Sequence, residues 1–214
     1  PDLPPETLRP SDLPTPMRAL LAFDKFKDAL TAQKACEAAA AALRARHPDW
    51  TLDLCPLTDG GEGFGETLTQ ALGGRLESIP VHGPRDGTVP ASVGYVDWPS
   101  IPAPARNLLH SSPVTLHPPL SSQRPLAVID MASASGLALL APGQRDPWQT
   151  TTCGTGEQIQ AALRRGAGAI LLGIGGSATN DLGLGALAAL GVKFLDADGR
   201  SVDRPVPADW ETIR

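Results

Sequence analysis

Ala169–Asp181, AILLGIGGSATND, decides the fold class. Ala169–Ile174 is a strongly apolar run, too short for a helix and suited to a buried strand. It runs into a glycine-rich segment, Gly175–Gly185, which opens a helix that reaches Leu190 and stops at Gly191. Strand, glycine loop and helix in that order are the building unit of parallel α/β folds. The same unit recurs towards the N-terminus. Arg18–Phe23 (RALLAF) reads as a strand, followed by a helix over Ala32–Arg46 with Thr31 as its cap, and Trp50–Cys55 as a second strand. Asp59–Gly63 is a loop, and Glu62–Leu72 a helix closed by Gly73-Gly74. Arg75–Val81 and Thr88–Trp98 read as an antiparallel pair around the Gly83–Gly87 turn. Leu126–Met131 is a strand, Ser133–Leu140 a short helix, Thr150–Gly156 a loop, Glu157–Arg165 a helix and Val192–Leu195 a further strand. The alternation predicts an α/β fold with a mostly parallel sheet. Two segments break it. Residues 1–16 hold six prolines and no hydrophobic period, which reads as a disordered tail. Pro99–Pro125 is rich in Pro and Ser and reads as a surface insertion.

Composition narrows the function classes. The 214 residues are 42% hydrophobic, enough for one large domain or two small ones. Eighteen Lys+Arg against 23 Asp+Glu give a formal charge of −5, with no basic run. Sequence-independent nucleic-acid binding and attachment to anionic membrane surfaces are therefore disfavoured. No apolar stretch approaches the roughly 18–20 residues that span a bilayer. Cys36, Cys55 and Cys153 have neither the even count of a disulfide framework nor metal-ligand spacing. The expectation is a soluble cytoplasmic protein acting on a small molecule.

Three loops share the strand–glycine–helix design: Thr58–Gly63 (TDGGEG), Thr150–Glu157 (TTTCGTGE) and Gly173–Asp181 (GIGGSATND). Glycine lets a backbone approach a ligand closely, and the first N–H groups of a helix carry a partial positive charge suited to phosphate. The candidate phosphate or substrate contacts are Asp59, Gly60, Gly61, Glu62 and Gly63 in the first loop and Thr155 and Gly156 in the second. In the third they are Gly175, Gly176, Ser177, Thr179 and Asn180. In an open sheet such loops gather at the carboxyl ends of the strands. Gly173–Ala178 also fits G-x-G-x-x-A, the dinucleotide fingerprint, with Asp196 about twenty residues on. No GxxxxGK[ST] run is present, which excludes a P-loop. After the first strand, Asp24-Lys25-Phe26-Lys27-Asp28 places acid and lysine together. That pairing suits phosphoryl transfer, with Lys27 offsetting phosphate charge and Asp24 or Asp181 meeting a hydroxyl or Mg²⁺. His82 reads as a turn or surface residue and Cys153 as a small loop filler.

DGGEG at Asp59–Gly63, MASASGL at Met131–Leu137, TTTCGTGE at Thr150–Glu157, GIGGSATND at Gly173–Asp181 and FDKFKDAL at Phe23–Leu30 together resemble the bacterial glycerate kinases. The resemblance implies ATP- and Mg²⁺-dependent phosphorylation of D-glycerate by two α/β domains, one flavodoxin- or Rossmann-like and the other inserted into it. On that pattern residues 17–75 begin the first domain and 76–214 form an incomplete second, with the active site in the cleft between the two. The family's first-strand aspartate and lysine fall on Asp24 and Lys27, and its GSATND loop falls on Gly176–Asp181. This chain departs from the family pattern at Lys25, at Phe64, at Cys153 (an aromatic in the family) and at Leu182, where the family carries glycine. Family members also run on past the length of this chain, so a missing C-terminal segment or a homo-oligomer is expected to complete it. Two other readings stay open: a phosphate- or nucleotide-binding remnant without turnover, and a dinucleotide-dependent oxidoreductase built on the fingerprint match.

Overall fold

The computed structural model describes residues 17–27, 29–110 and 124–213. The expected tail, 1–16, and most of the later half of the expected insertion lie outside them. The chain divides into two compact units, Pro1–Leu57 and Thr58–Arg214.

In the first unit, strand β1 (Arg18–Leu21) pairs in parallel with β2 (Thr51–Leu54), in register from Arg18↔Thr51 to Leu21↔Leu54. Helix α1 (Ala32–Arg46) connects them and has the bounds its periodicity predicts. Thr31 caps it by accepting from the Lys34 N–H at 3.3 Å, and Ala32, Ala35, Cys36 and Ala40 form the buried stripe that helical spacing requires. The Cys36 thiol donates to the Leu21 carbonyl at 3.2 Å, tying helix to strand.

The second unit contains α2 (Phe64–Ala71), β3 (Arg75–His82), β4 (Thr88–Val96), α3 (Ala103–His110), β5 (Leu126–Asp130), α4 (Ala132–Ser135), α5 (Cys153–Arg164), β6 (Ala169–Gly173) and α6 (Leu184–Ala189). Its sheet runs β3-β4-β5-β6, antiparallel from β3 through β5 and parallel between β5 and β6. It is a mixed sheet with apolar clusters on both faces. Val93, Tyr95, Ala127 and Ile129 pack with Ile159 and Ala162 of α5. The alternate residues Val96, Leu126 and Val128 pack with Phe64 and Leu68 of α2. All five β5 residues are buried, as expected of a strand covered on both sides.

Four expectations change. The Pro99–Pro125 stretch holds a helix, α3, with Pro104 in its first turn where a missing N–H costs nothing. The predicted Ser133–Leu140 helix is broken at Gly136, where a Cβ would overlap the Ala132 carbonyl, and resumes as a 3-10 turn at Leu137–Leu139. Helix α5 begins at Cys153 rather than Glu157, so Thr155 and Gly156 are helical. Val192–Leu195 is not a strand; Leu195 forms a single bridge to Ser201.

Candidate functional site

The parallel pair in the second unit ends level: Asp130 of β5 is in register with Gly173 of β6, and the Met131 N–H donates to the Gly173 carbonyl at 2.9 Å. Asp130 is buried, and each of its oxygens has a backbone partner. Oδ2 accepts from the Gly65 N–H at 3.1 Å and Oδ1 from the Ser133 N–H at 3.0 Å, so one carboxylate holds the first turns of both α2 and α4.

Two of the glycine loops interlock directly above these strand ends. The Gly175 N–H donates to the Gly60 carbonyl at 2.9 Å. A Cβ on Gly173 would lie 2.6 Å from the Gly60 oxygen, one on Gly175 2.9 Å from the Gly61 backbone, and one on Gly176 2.6 Å from Glu62 Oε1. Glycine is therefore required at 173 and 175 by contact between backbones, whereas at Gly176 it is the φ of +72° that favours glycine. Asp59 turns the first loop by accepting from the Gly61 N–H at 3.0 Å. On its other side the third loop pairs with the segment after α4: Gly136 bridges Ser177, Leu137 donates to Gly176 at 2.9 Å, and Ala178 donates to Ser135 at 2.9 Å.

The threonine loop locks into the same cluster. Thr179 Oγ1 donates to the Thr150 carbonyl at 2.7 Å, and Thr150 Oγ1 donates to the Ala178 carbonyl at 3.0 Å. Asp181, 1% exposed, gathers the rest. Its Oδ2 accepts from the Thr152 N–H and Thr152 Oγ1, both at 2.8 Å, and from the Gly185 N–H at 3.1 Å, while Oδ1 accepts from the Gly183 N–H at 3.1 Å. Thr152 Oγ1 in turn accepts from the Ala186 N–H at 2.9 Å. Helix N–H groups that sequence reasoning offered to phosphate are thus bonded at Gly65 and Gly185 to the chain's own carboxylates.

Two of the glycine loops meet at the carboxyl ends of β5 and β6, and Thr150–Thr152 of the third segment bonds to the later of them. Asp59, Gly176 and Asn180 are exposed there, while Glu62, Gly63, Gly175 and Ser177 are half-buried and Gly61 and Thr179 are buried. Thr155 and Gly156 lie inside α5: Thr155 Oγ1 bonds Ser135 Oγ at 2.9 Å, and Gly156 packs against Ala186, where a Cβ would come 2.6 Å from its Cα. Asp24 and Lys27 belong to the first unit, on the turn after β1, where Asp24 is half-buried with Oδ1 accepting from the Lys25 N–H at 2.6 Å, and Lys27 is exposed. The dinucleotide fingerprint is not formed. Gly173–Ala178 ends in the bridge to Gly136, and the next helix starts only at Leu184, whereas that motif must open directly into a helix.

Sequence reasoning missed Asp130, Ser135 and the pairing of His82 with Glu157. His82 Nδ1 lies 2.6 Å from Glu157 Oε1, and the His82 N–H donates to Oε2 at 2.7 Å. An acid closing a wholly apolar strand was the available signal for Asp130. Burial, with Glu157 and Asp181 adding like charge against a smaller opposing effect of Arg204, pushes the Cys153 thiol up to about 11.

The chain is similar to known proteins. The model of the glycerate kinase family matches residues 19–214. A glycerate kinase from Bacillus cereus is 37% identical over 187 residues, covering 87% of this chain and 42% of its own length. A glycerate 2-kinase from Escherichia coli is 37% identical over 186 residues, with 87% and 42% covered. A crystal structure of a "putative glycerate kinase 2" from Salmonella typhimurium superposes with a TM-score of 0.67 at 36% identity, covering 92% of this chain and 47% of that one. The chain spans somewhat under half the length of the curated relatives it matches. Among the described residues, no helix is long and apolar enough to cross a membrane. By the extent of the family match and the identity of these relatives, the chain belongs to the glycerate kinase family.

Proposed function

We propose that the chain takes part in ATP-dependent phosphorylation of D-glycerate. The interlocked turns of Asp59–Gly63 and Gly173–Asn180 form the polar surface that receives phosphate or the small acid. The observation that carries this reading is the backbone contact between Gly60 and Gly175, which sets two glycine turns edge to edge beside exposed Asp59 and Asn180. Asn180 offers both a donor and an acceptor to a hydroxyl or a phosphate oxygen. ATP with Mg²⁺ supplies the transferable phosphoryl group and the charge that shields it.

The donor set separates the two carboxylates considered for Mg²⁺. A hard cation needs carboxylate oxygens open to it. Both oxygens of Asp181 are committed to four donors inside the fold, which suits a positioning residue that aligns the threonine loop with the GSATND turn. Asp24 is the acid retained for the metal or the glycerate hydroxyl, and Lys27 offsets charge on the transferring group.

A coupled assay for ADP release with ATP, Mg²⁺ and D-glycerate tests this, paired with calorimetry of each ligand. Turnover that requires D-glycerate supports the proposal. Binding without ADP release favours the second reading, a ligand-binding portion that lacks turnover, which is motivated by the 42% coverage of the relatives' length. Absence of both overturns the assignment.

A further inference from the structure

We propose that His82, Cys153 and Glu157 form a binding site for a borderline-soft divalent cation of the Zn²⁺ class, at the junction of β3 and α5. Their ligating atoms, one nitrogen, one sulfur and one oxygen, all lie within 4.8 Å of one another. Backbone architecture brings them together. Cys153 and Glu157 stand four residues apart in the first turns of α5, which puts both on one face of the helix. His82 is the last residue of β3, and the helix rests on it because Gly154 has no side chain: a Cβ there would overlap the His82 carbonyl.

Glu157 is already oriented for the task. Its Oε2 is held by the His82 N–H at 2.7 Å, leaving Oε1 beside His82 Nδ1 at 2.6 Å. A carboxylate fixed through its second oxygen is the kind of outer support that metal ligands need. An incoming cation takes the position now bridged by the proton between Nδ1 and Oε1, and that proton and the Cys153 thiol proton pass to solvent as the metal bonds form. With bonds of about 2.0–2.3 Å, the ligands of a tetrahedral zinc stand roughly 3.3–3.8 Å apart, so the cluster needs only side-chain adjustment. The Cys153 side is closed and the His82 side is open, with side-chain exposures of 41% for His82 and 28% for Glu157. That leaves an entry path and a fourth position for water. The mixed N, S, O donor set selects Zn²⁺ or Co²⁺ over Mg²⁺, which prefers oxygen throughout. None of the three donors is among the residues proposed above to meet Mg²⁺, and a thiolate is a poor ligand for that ion.

The test is a Co²⁺ titration of chelator-treated protein, followed by Zn²⁺ competition. One cobalt per chain is expected, with a thiolate-to-cobalt charge-transfer band that Zn²⁺ removes. Cys153→Ser should abolish the band. His82→Gln, a change at a partly exposed side chain that spares the fold, should weaken Zn²⁺ affinity by more than the roughly 10–100-fold typical of losing an outer-shell partner. Cys55→Ser, at an exposed thiol in the other unit, should leave the band unchanged. No band at saturating Co²⁺ in folded protein, a band that survives Cys153→Ser, or one lost in Cys55→Ser overturns the proposal.

Discussion

Leu182 holds a φ of +55°, the one non-glycine residue in the left-handed region among those described. An L side chain there costs roughly 1–2 kcal/mol, because Cβ crowds the following carbonyl. Leu182 is 78% exposed, so packing returns little of that cost. Leu182→Gly should therefore raise stability by about 1 kcal/mol, read as an increased urea midpoint at unchanged m-value; a fall would show that the leucine makes contacts that outweigh the strain. Its neighbour Asp181 makes the opposite case. Asparagine cannot accept at both of its terminal atoms, and the N–H groups of buried Thr152 and Gly185 and of half-buried Gly183 would lose part of their partner. Asp181→Asn should cost about 2–3 kcal/mol in chemical denaturation. If Asp181 were also the proton acceptor in the reaction, the change would abolish turnover even under conditions where the variant is fully folded, so activity measured on folded protein separates the roles.

At the level of elements, the close approach of Gly60–Gly61 to Gly173–Gly175 makes a specific demand. Gly175→Ala places a methyl about 2.9 Å from the Gly61 backbone, and no side chain there can turn aside. The loops must part, and D-glycerate or ATP binding should weaken at least tenfold by calorimetry, with a stability loss of about 1–3 kcal/mol. Wild-type affinity in this variant would show that the interlock does not shape the ligand surface. The strands β5 and β6, helix α1 and the GSATND turn were legible in the sequence because each has a strong local signature: continuous apolar runs, alanine periodicity with a Thr cap, paired glycines. The start of α5 was not. Cys153-Gly154-Thr155-Gly156 has poor helix propensity and reads as loop, yet Gly154 and Gly156 are what let the helix touch His82 and Ala186, so tertiary packing overrides propensity. For the same reason the His82–Glu157 pair, separated by 75 positions, could not be read locally.

Across the whole molecule, burial is unequal. β5 is buried throughout between helices on both sheet faces, whereas β1 buries only Leu21 fully and β2 buries no residue fully. A two-stranded sheet with a single covering helix is near the lower limit of independent stability, and sparsely buried elements open at free energies well below global unfolding. In native-state hydrogen exchange, the amides of β1 and β2 should therefore lose protection first, in a sub-global opening that leaves β4, β5 and β6 intact. The second unit, with apolar clusters on both faces of a four-stranded sheet, should set the slowest rates. Such a hierarchy would place Asp24 and Lys27 on the less stable unit and the glycine turns on the more stable one. D-glycerate or ATP that engages Lys27 should then slow exchange in β1 and β2 selectively. Exchange of both units in one step, with no selective protection on adding ligand, would instead mean that the chain unfolds cooperatively and that Asp24 and Lys27 stand apart from the chemistry proposed for them.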